Sequence, residues 1–302
     1  MNQSTIRKIG TGRDFIEAES LTQLQSVMAI GGNSKCSDKY QPINTYHLVK
    51  LLEKENWFPV LAQENRVNKE DLNGFQKHMI RFRSKDAQAL TKLNDLSAEI
   101  ILTNSHDRSS AYTIMAGFFR LVCLNGLIVS EANFGAIKIK HIGFNPQDVV
   151  EASYKVIKEV PQLVDKVNLY RETMLSPKER EILAESAILM KFDPSDEDEI
   201  SVQDGFVKIN DRAFATDRLL SSRRSEDDAS LWGTFNTIQE KFQKGNNFES
   251  TYRTNDEGQV IHRTKVKGLT SINENLRINK GLWHLMEQMR IAKDSGSPIE
   301  LR

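Results

Sequence analysis

NSHDRSSAYTIMAGFFRLVCLNGLIVS, residues 104–130, is the stretch on which the predicted fold depends. Its first seven residues are polar, and the run that follows is strongly apolar. Ser and Asp placed directly before an apolar run are typical helix N-caps, because their side-chain oxygens accept the free N–H groups of the first turn. We therefore expect a structural helix from about Ser109 to Leu124. The candidate capping residues are Ser105, Asp107, Ser109 and Ser110.

The same polar head contains Ser105, His106 and Asp107 in succession, which raises the alternative of a catalytic cluster. Members of a Ser-His-Asp triad must converge in space, and neighbours along one regular element do not. The capping interpretation is therefore preferred, and a metal-independent nuclease or hydrolase built on His106 and Asp107 has the least support. A ligand anion at the helix N-terminus, contacted by His106 and Arg108, stays open as an alternative.

The segments around this stretch predict an α+β fold with a mainly antiparallel sheet. Asn44 is expected to cap an amphipathic helix, and three segments with strand character follow it. The expected elements in chain order are a helix at 44–56, strands at 57–64, 75–84 and 97–105, the helix of the opening stretch, a strand at 134–143 and a long helix at about 146–173. This is the order of an αβββα-type core whose antiparallel sheet packs against a long helix.

An acidic run at residues 193–199, DPSDEDE, is the best candidate for a linker between two parts of the chain, and a solvated loop inside one domain would have the same composition. Before it, Ser176, Pro177 and Glu179 have the spacing of a capping box at the start of a helix. After it, amphipathic helices at 230–245 and 274–293 flank a hairpin at 251–268. The predicted organisation is an N-terminal arm at 1–43, an α+β core domain at 44–192, an acidic linker at 193–204 and a mainly helical C-terminal region with a hairpin at 205–302.

Composition and motifs argue against several classes of protein. The 302 residues carry 41 basic and 41 acidic side chains, so no net charge directs the whole chain to nucleic acid. Two cysteines and six scattered histidines give no metal-ligand spacing, and neither a P-loop nor a Rossmann glycine fingerprint is present. We expect no cofactor, no metal and no catalytic activity. The lack of a secretory signal and of a bilayer-spanning apolar run predicts a cytoplasmic protein with no membrane partner.

Cations alternate along three segments with strand character, which suggests a surface for nucleic acid. Long cations on the outer face of a half-buried strand are usually just solvated. If the strands at 75–84 and 134–143 lie in one sheet, however, their cations form a ribbon that can follow a phosphodiester backbone. Tyr112 and Tyr252 are available to stack on bases, although packing explains them equally well. The predicted nucleic-acid-binding residues are Lys77, Arg81, Arg83, Arg108, Lys138, Lys140, Arg263, Lys265 and Lys267.

Three segments resemble the two signatures of a known family. The opening stretch is similar to the central signature of phage/plasmid-like proteins that carry a domain of unknown function. LWGTFNTIQEKFQKG at 231–245 and KGLTSINENLRINKGLWHLMEQM at 267–289 resemble the second signature of that family. The resemblance covers residues from about 44 to 290. It implies an origin in phages, prophages or conjugative plasmids, and it names no activity.

The αβββα order also resembles the core of the single-strand annealing recombinases of the RecT, Erf and Red-beta type. That resemblance implies annealing without ATP by a ring or filament that holds DNA in a basic groove beside the sheet. We therefore expect a mobile-element protein that binds single-stranded DNA as a homo-oligomer and promotes annealing or recombination. The alternative is a protein-binding factor that inhibits a host defence system, with a host protein as its partner.

Overall fold

The computed structural model describes residues 6–34, 36, 40, 42–85, 96–120, 125–128, 137–139, 145–191, 200–203, 206–210, 212–221, 228–255 and 257–296. The chain forms two compact units. The first contains Met1–Val164 and the short segment Thr270–Leu276, and the second contains Asp165–Leu269 and Arg277–Arg302. The predicted acidic run, residues 193–199, lies outside the described residues.

A seven-stranded antiparallel sheet forms the centre of the first unit. In chain order its elements are β1 (Ile6–Ile9), a 3-10 turn (Ala18–Gln23), α1 (Gln25–Met28), α2 (Thr45–Lys54), β2 (Trp57–Asn65), a 3-10 turn (Glu70–Leu72), β3 (His78–Ser84), β4 (Leu96–Asn104), β5 (Tyr112–Arg120), β6 (Asn125–Ile128), β7 (Ile137–Ile139) and α3 (Pro146–Glu172), whose last residues belong to the second unit. The strands lie in the order β1-β2-β3-β4-β5-β6, and β7 pairs with the other end of β5. The predicted α+β class with an antiparallel sheet is confirmed.

The sequence explains how α2 and β2 begin. Asn44 caps α2, because its side-chain oxygen accepts the backbone N–H of His47 at 2.8 Å. Leu48 and Leu52 recur at helical spacing and are fully buried. Pro59 lies near the start of β2, and the register of the pairing with β3 shifts directly after it, as expected beside a residue that has no N–H to donate.

The predicted helix from about Ser109 to Leu124 is wrong, because Tyr112–Arg120 is strand β5. This strand pairs with β4 from Thr113 to Arg120. Ile114 and Met115 point to opposite sides of the sheet, yet they are 0% and 2% exposed. A strand buried on both sides shows a continuous apolar run without period-two alternation, and such a run cannot be distinguished from a buried helix by periodicity. The order of elements is therefore a helix followed by a meander of β2 to β5, and not αβββα.

Helices and a second antiparallel sheet form the second unit. Its elements are α4 (Pro177–Lys191), β8 (Ile200–Gln203), β9 (Phe206–Asn210), α5 (Arg212–Leu220), α6 (Leu231–Lys244), β10 (Gly245–Thr254), β11 (Val260–Lys267) and most of α7 (Ile272–Asp294). The sheet order is β11-β10-β9-β8. The C-terminal helices and the hairpin were predicted, whereas β8, β9 and α5 were not. In the described parts of the chain, no helix combines the length and the apolar character needed to cross a membrane.

Caps and a tight turn fix the ends of helices in this unit. Ser176 Oγ accepts the N–H of Glu179 at 3.3 Å, and the Glu179 carboxylate accepts the N–H of Ser176 at 2.6 Å, which confirms the predicted capping box. Helix α6 ends at Gly245, as its sequence predicts. Gly245 has a φ of 60°, and a Cβ there would lie 1.9 Å from the backbone nitrogen of Gly268, so only glycine fits.

Candidate functional site

The two sides of the seven-stranded sheet carry different side chains. His78, Ile80 and Phe82 of β3 point to the side that α2 covers, since Thr45 of α2 lies within hydrogen-bonding distance of His78. The residues between them point to the other side. We call that other side the cationic face, because its charged strand residues, among those that the structure describes, are four cations and one carboxylate. They are Lys8, Arg81, Arg83, Lys138 and Glu99.

One row of paired residues crosses the cationic face from β1 to β7. The row contains, in order, Lys8, Gln63, Met79, Thr103, Thr113 and Lys138. Five inter-strand spacings of about 4.8 Å place the two lysines roughly 24 Å apart, and both are exposed. Although much of Lys8 is exposed, its pKa is lowered, first by partial burial of its ammonium group and then by the charge of Arg81. The row is thus cationic at both ends.

Arg81 and Arg83 do not lie on an exposed surface, and this part of the sequence prediction is wrong. They are 6% and 7% exposed, and both bind Glu99, which is 2% exposed. Arg81 Nε donates to one carboxylate oxygen at 2.5 Å, and Arg83 Nη2 donates to the other at 2.6 Å. Arg83 also donates to the backbone carbonyls of Gly12 and Arg13 at 2.7 and 3.0 Å. Charges removed from water need such partners, so these two arginines hold strands together and are not available as surface contacts for phosphates.

The segment Thr270–Leu276 covers the centre of the cationic face. Ile272 and Leu276 pack there against an apolar cluster whose other members are Met79, Ile101 and Met115. Lys77, directly before β3, is half-buried and donates from Nζ to the side-chain oxygen of Asn273 at 2.7 Å. The exposed lysines at the two ends of the row therefore lie on either side of a covered centre.

The other predicted contacts are scattered. Arg108 is exposed in the connection between β4 and β5, and Lys267 is exposed at the end of β11 in the second unit. Tyr112 is 0% exposed and therefore cannot stack on bases. Lys140 lies outside the described residues, and the structure describes only the backbone of Tyr252, Arg263 and Lys265. Among the predicted cations whose side chains the structure describes, those gathered on or beside the cationic face are Lys77, Arg81, Arg83 and Lys138.

The polar head of the opening stretch connects β4 to β5 and caps no helix. Asp107 Oδ1 accepts the backbone N–H of Ser109 at 2.9 Å, which forms an Asx turn. Ser105 Oγ accepts the N–H of Ser110 at 2.9 Å and the hydroxyl of Ser109 at 3.1 Å. Residues 105–120 are all described and contain no helix N-terminus, so the alternative of an anion bound at such a terminus by His106 and Arg108 loses its structural basis. His106 is fully buried and lies beside Tyr40 and Asn104, which favours a structural role for it over a catalytic one.

A buried cluster in which two histidines meet was not predicted from the sequence. His78 and His106 are 0% exposed, and their rings lie 24° from parallel with centroids 5.7 Å apart. Thr45 Oγ1 lies 2.9 Å from His78 Nε2 and accepts the side-chain amide of Asn104 at 3.3 Å. The Tyr40 hydroxyl lies 3.1 Å from His106 Nδ1. Residues from α2, β3, β4 and two connecting segments are thereby joined.

The cluster holds His78 in its neutral form. Burial and, second, the neighbouring His106 lower the pKa of His78 to about 3. The neutral ring can donate from Nδ1 to the carbonyl of Gln76 and accept the Thr45 hydroxyl at Nε2. Among the described residues, no group of three or more His, Cys, Asp or Glu side chains is arranged to hold a metal ion. We assign the cluster the structural role of fastening α2 to the sheet.

Comparisons with known proteins define the family. Residues 34–283 match the family described as "Domain of unknown function (DUF932)". Two proteins of Escherichia coli (strain K12), UPF0380 protein YafZ and UPF0380 protein YfjQ, are each 30% identical to this chain over 278 residues, and each alignment covers 92% of both chains. No solved structure matches the chain. The resemblance to a family with a domain of unknown function is thus confirmed, and the chain belongs to the DUF932 family.

Proposed function

We propose that the chain binds single-stranded DNA on the cationic face of its seven-stranded sheet and promotes annealing without ATP. The observation that supports this is the charge of that face, where four cations accompany one carboxylate among the described strand residues. Cations on such a surface attract phosphates whatever the base sequence. We assign phosphate contacts to Lys8 and Lys138, because both are exposed and stand at the two ends of one row.

The buried arginines contribute to the same face without touching a ligand. Arg81 and Arg83 share one carboxylate, Glu99, so these three groups carry one positive charge in excess. Charges inside a protein are screened less than charges in water, and their field extends to the nearby surface. The effect of Arg81 on the pKa of Lys8 is consistent with such a field.

The topology supports annealing less than the sequence suggested. Strand β5 replaces the helix that completed the αβββα order. Annealing is therefore proposed only as a consequence of binding single-stranded DNA. The resemblance of two signatures to phage, prophage and plasmid proteins supports a mobile-element setting. The same proposal includes a cytoplasmic location, a ring or filament on DNA and the lack of a catalytic step.

Fluorescence-anisotropy titration of a labelled single-stranded oligonucleotide, between about 50 and 200 mM salt, tests the proposal. We expect binding that weakens with salt, and faster annealing of complementary strands in the same buffer. The double variant Lys8→Gln/Lys138→Gln should reduce the salt slope by about 1.4, because each lost phosphate contact on a single strand contributes about 0.7. The matched control is Lys178→Gln, since Lys178 is 77% exposed in the second unit.

Two results would contradict the proposal. Absence of binding at low salt would reject DNA as the ligand. Co-purification of a stoichiometric host protein after nuclease treatment would then favour the factor that inhibits a host defence system. Binding that the double variant leaves unchanged would reject the cationic face as the site.

A further inference from the structure

Two aromatic rings, one exposed and one half-buried, form a pair at the end of the cationic face that lies near Arg83. Phe58 of β2 is paired with Arg83 of β3 and therefore lies on the same side of the sheet. Phe15 is 45% exposed and meets Phe58 edge-on, with ring centroids 5.7 Å apart and an interplanar angle of 71°. Lys85 Nζ lies 4.3 Å from the centroid of the Phe58 ring. An exposed aromatic surface thus stands beside an exposed cation.

The backbone that carries Phe15 is fixed in position. Ile16 N–H donates to the carbonyl of Pro59 at 2.8 Å, and Gly12 N–H donates to the carbonyl of Val60 at 3.0 Å. The guanidinium of Arg83 adds two hydrogen bonds to carbonyls of the same segment. The ring of Phe15 is therefore presented on an anchored segment, which lowers the entropic cost of binding a ligand against it.

We propose that Phe15 stacks on a base of single-stranded DNA, while Lys85 and Arg13 bind the adjacent phosphates. This inference rests on the proposed function and adds a contact to bases that the lysines of the row do not supply. Proteins that bind single strands without sequence preference combine a positively charged groove with aromatic side chains on which bases stack. One ring face of Phe58 is already occupied by Lys85, so the more exposed Phe15 is the stacking residue and Phe58 supports it.

The charges around the aromatic pair favour a phosphate-bearing ligand over an apolar one. Arg13, two residues before Phe15, and Lys85, directly after β3, are exposed, and Asp14 is exposed next to Phe15. Asp14 opposes phosphate binding, since like charges repel. Asp14→Asn should therefore tighten the binding of single strands, whereas Lys85→Gln should weaken it and reduce the salt slope by about 0.7.

The decisive experiment compares an oligothymidylate with an abasic oligonucleotide of the same length, which keeps the phosphates and removes the bases. Phe15→Ala and Phe15→Leu should each weaken binding of the oligothymidylate about 5- to 150-fold, the range measured for loss of one stacked base. Neither should change binding of the abasic strand or the salt slope. Tyr154→Leu is the matched control, because Tyr154 is 49% exposed elsewhere in the first unit.

The remaining outcomes of this experiment each reject a different claim. If the unmodified protein binds neither oligonucleotide at low salt, the proposed function fails and the stacking site fails with it. If the protein binds both and Phe15→Ala changes neither affinity, only the stacking site is rejected. An equal loss on both oligonucleotides would mean that Phe15 supports the fold of the surface. A loss of affinity with Phe15→Ala but not with Phe15→Leu would assign Phe15 an apolar contact instead of a stacking one. This result and the equal loss on both oligonucleotides each reject the inference.

Discussion

The buried imidazole of His78 should make the stability of the first unit depend on pH. In the folded chain the pKa of His78 is about 3, against an ordinary value of 6.5, because burial and the neighbouring His106 disfavour the charged ring. Below pH 6.5 the unfolded chain therefore binds a proton that the folded chain does not. Stability is lost as the pH falls from 6.5 until the folded ring itself titrates near pH 3.

The size of the effect follows from these two pKa values. At about pH 5 the unfolded ring is almost fully protonated and the folded ring is neutral, which lowers the unfolding free energy by about 2 kcal/mol relative to neutral pH. The difference between the ordinary pKa of 6.5 and the folded pKa of about 3 corresponds to about 5 kcal/mol, and this limit is reached only below pH 3. Other titrating groups add their own slopes, so the informative quantity is the difference between the unmodified protein and a variant.

His78→Gln keeps an acceptor for the Thr45 hydroxyl and removes the titrating ring. We expect this variant to lose about 2 kcal/mol less stability than the unmodified protein when the pH is lowered from about 7.5 to about 5. Urea unfolding followed by fluorine NMR of 5-fluorotryptophan reports on the two units separately, because Trp57 lies in the first and Trp232 and Trp283 lie in the second. The exposed His47 of α2 supplies the matched control, His47→Gln.

The reasoning would be refuted by a pH dependence that His78→Gln leaves unchanged within about 0.5 kcal/mol. It would also be refuted if His47→Gln reduced the slope by the same amount. The first result would mean that the buried ring is charged in the folded chain or exposed to solvent, and the second that the pH dependence is not specific to His78.

Two further substitutions test the packing of each unit. Glu99→Gln leaves two buried guanidinium groups without their carboxylate and should lower the unfolding free energy of the first unit by about 3–5 kcal/mol. The control Glu181→Gln, at a carboxylate that is 53% exposed, should have little effect. A loss below about 1 kcal/mol for Glu99→Gln would contradict the ion-pair account. Gly245→Ala should strongly destabilise the second unit, because the new Cβ would lie 1.9 Å from the nitrogen of Gly268. Gly258 also has a positive φ, 75°, but lies in open space, so Gly258→Ala should cost only about 1–2 kcal/mol. Equal losses of unfolding free energy in the two glycine variants, followed by the tryptophan resonances of the second unit, would exclude the clash as the cause.

Local chemistry made part of the fold predictable from the sequence. Asn44 at the start of α2 and the Ser176/Glu179 pair at the start of α4 act through hydrogen bonds three residues apart, so the sequence contains the whole interaction. The hairpin of β10 and β11 was recognisable because its strands flank a polar turn that contains Gly258. These elements need no knowledge of distant residues.

Elements whose environment is set by distant residues were not predictable. Strand β5 is buried on both sides, and this burial removed the alternation by which a strand is recognised. Arg81 and Arg83 alternate as solvated cations do, but Glu99 on the neighbouring strand makes them a buried network. A signal was present, since Glu99 interrupts an apolar strand and a buried carboxylate requires a cationic partner.

The candidate site could not be predicted from the sequence either, because its residues come from distant parts of the chain. The aromatic pair joins Phe15 and Phe58 across more than forty positions of the chain, and hydrogen bonds of residues 12–16 to β2 and to Arg83 of β3 help to bring them together. The histidine cluster joins three separate elements in the same way. His78 alternates with Ile80 and Phe82, which indicated a position on the apolar side but gave no partner.

Lysine footprinting tests the central claim, DNA binding on the cationic face, most directly. The protein is treated with an amine-reactive reagent with and without a saturating single-stranded oligonucleotide, and the rate of modification at each lysine is measured by mass spectrometry. We predict that DNA slows the modification of Lys8, Lys85 and Lys138, and that the exposed Lys178 of the second unit reacts at the same rate in both samples. The account would be contradicted if DNA were bound at saturation and Lys8 and Lys138 still reacted at the rates measured without DNA.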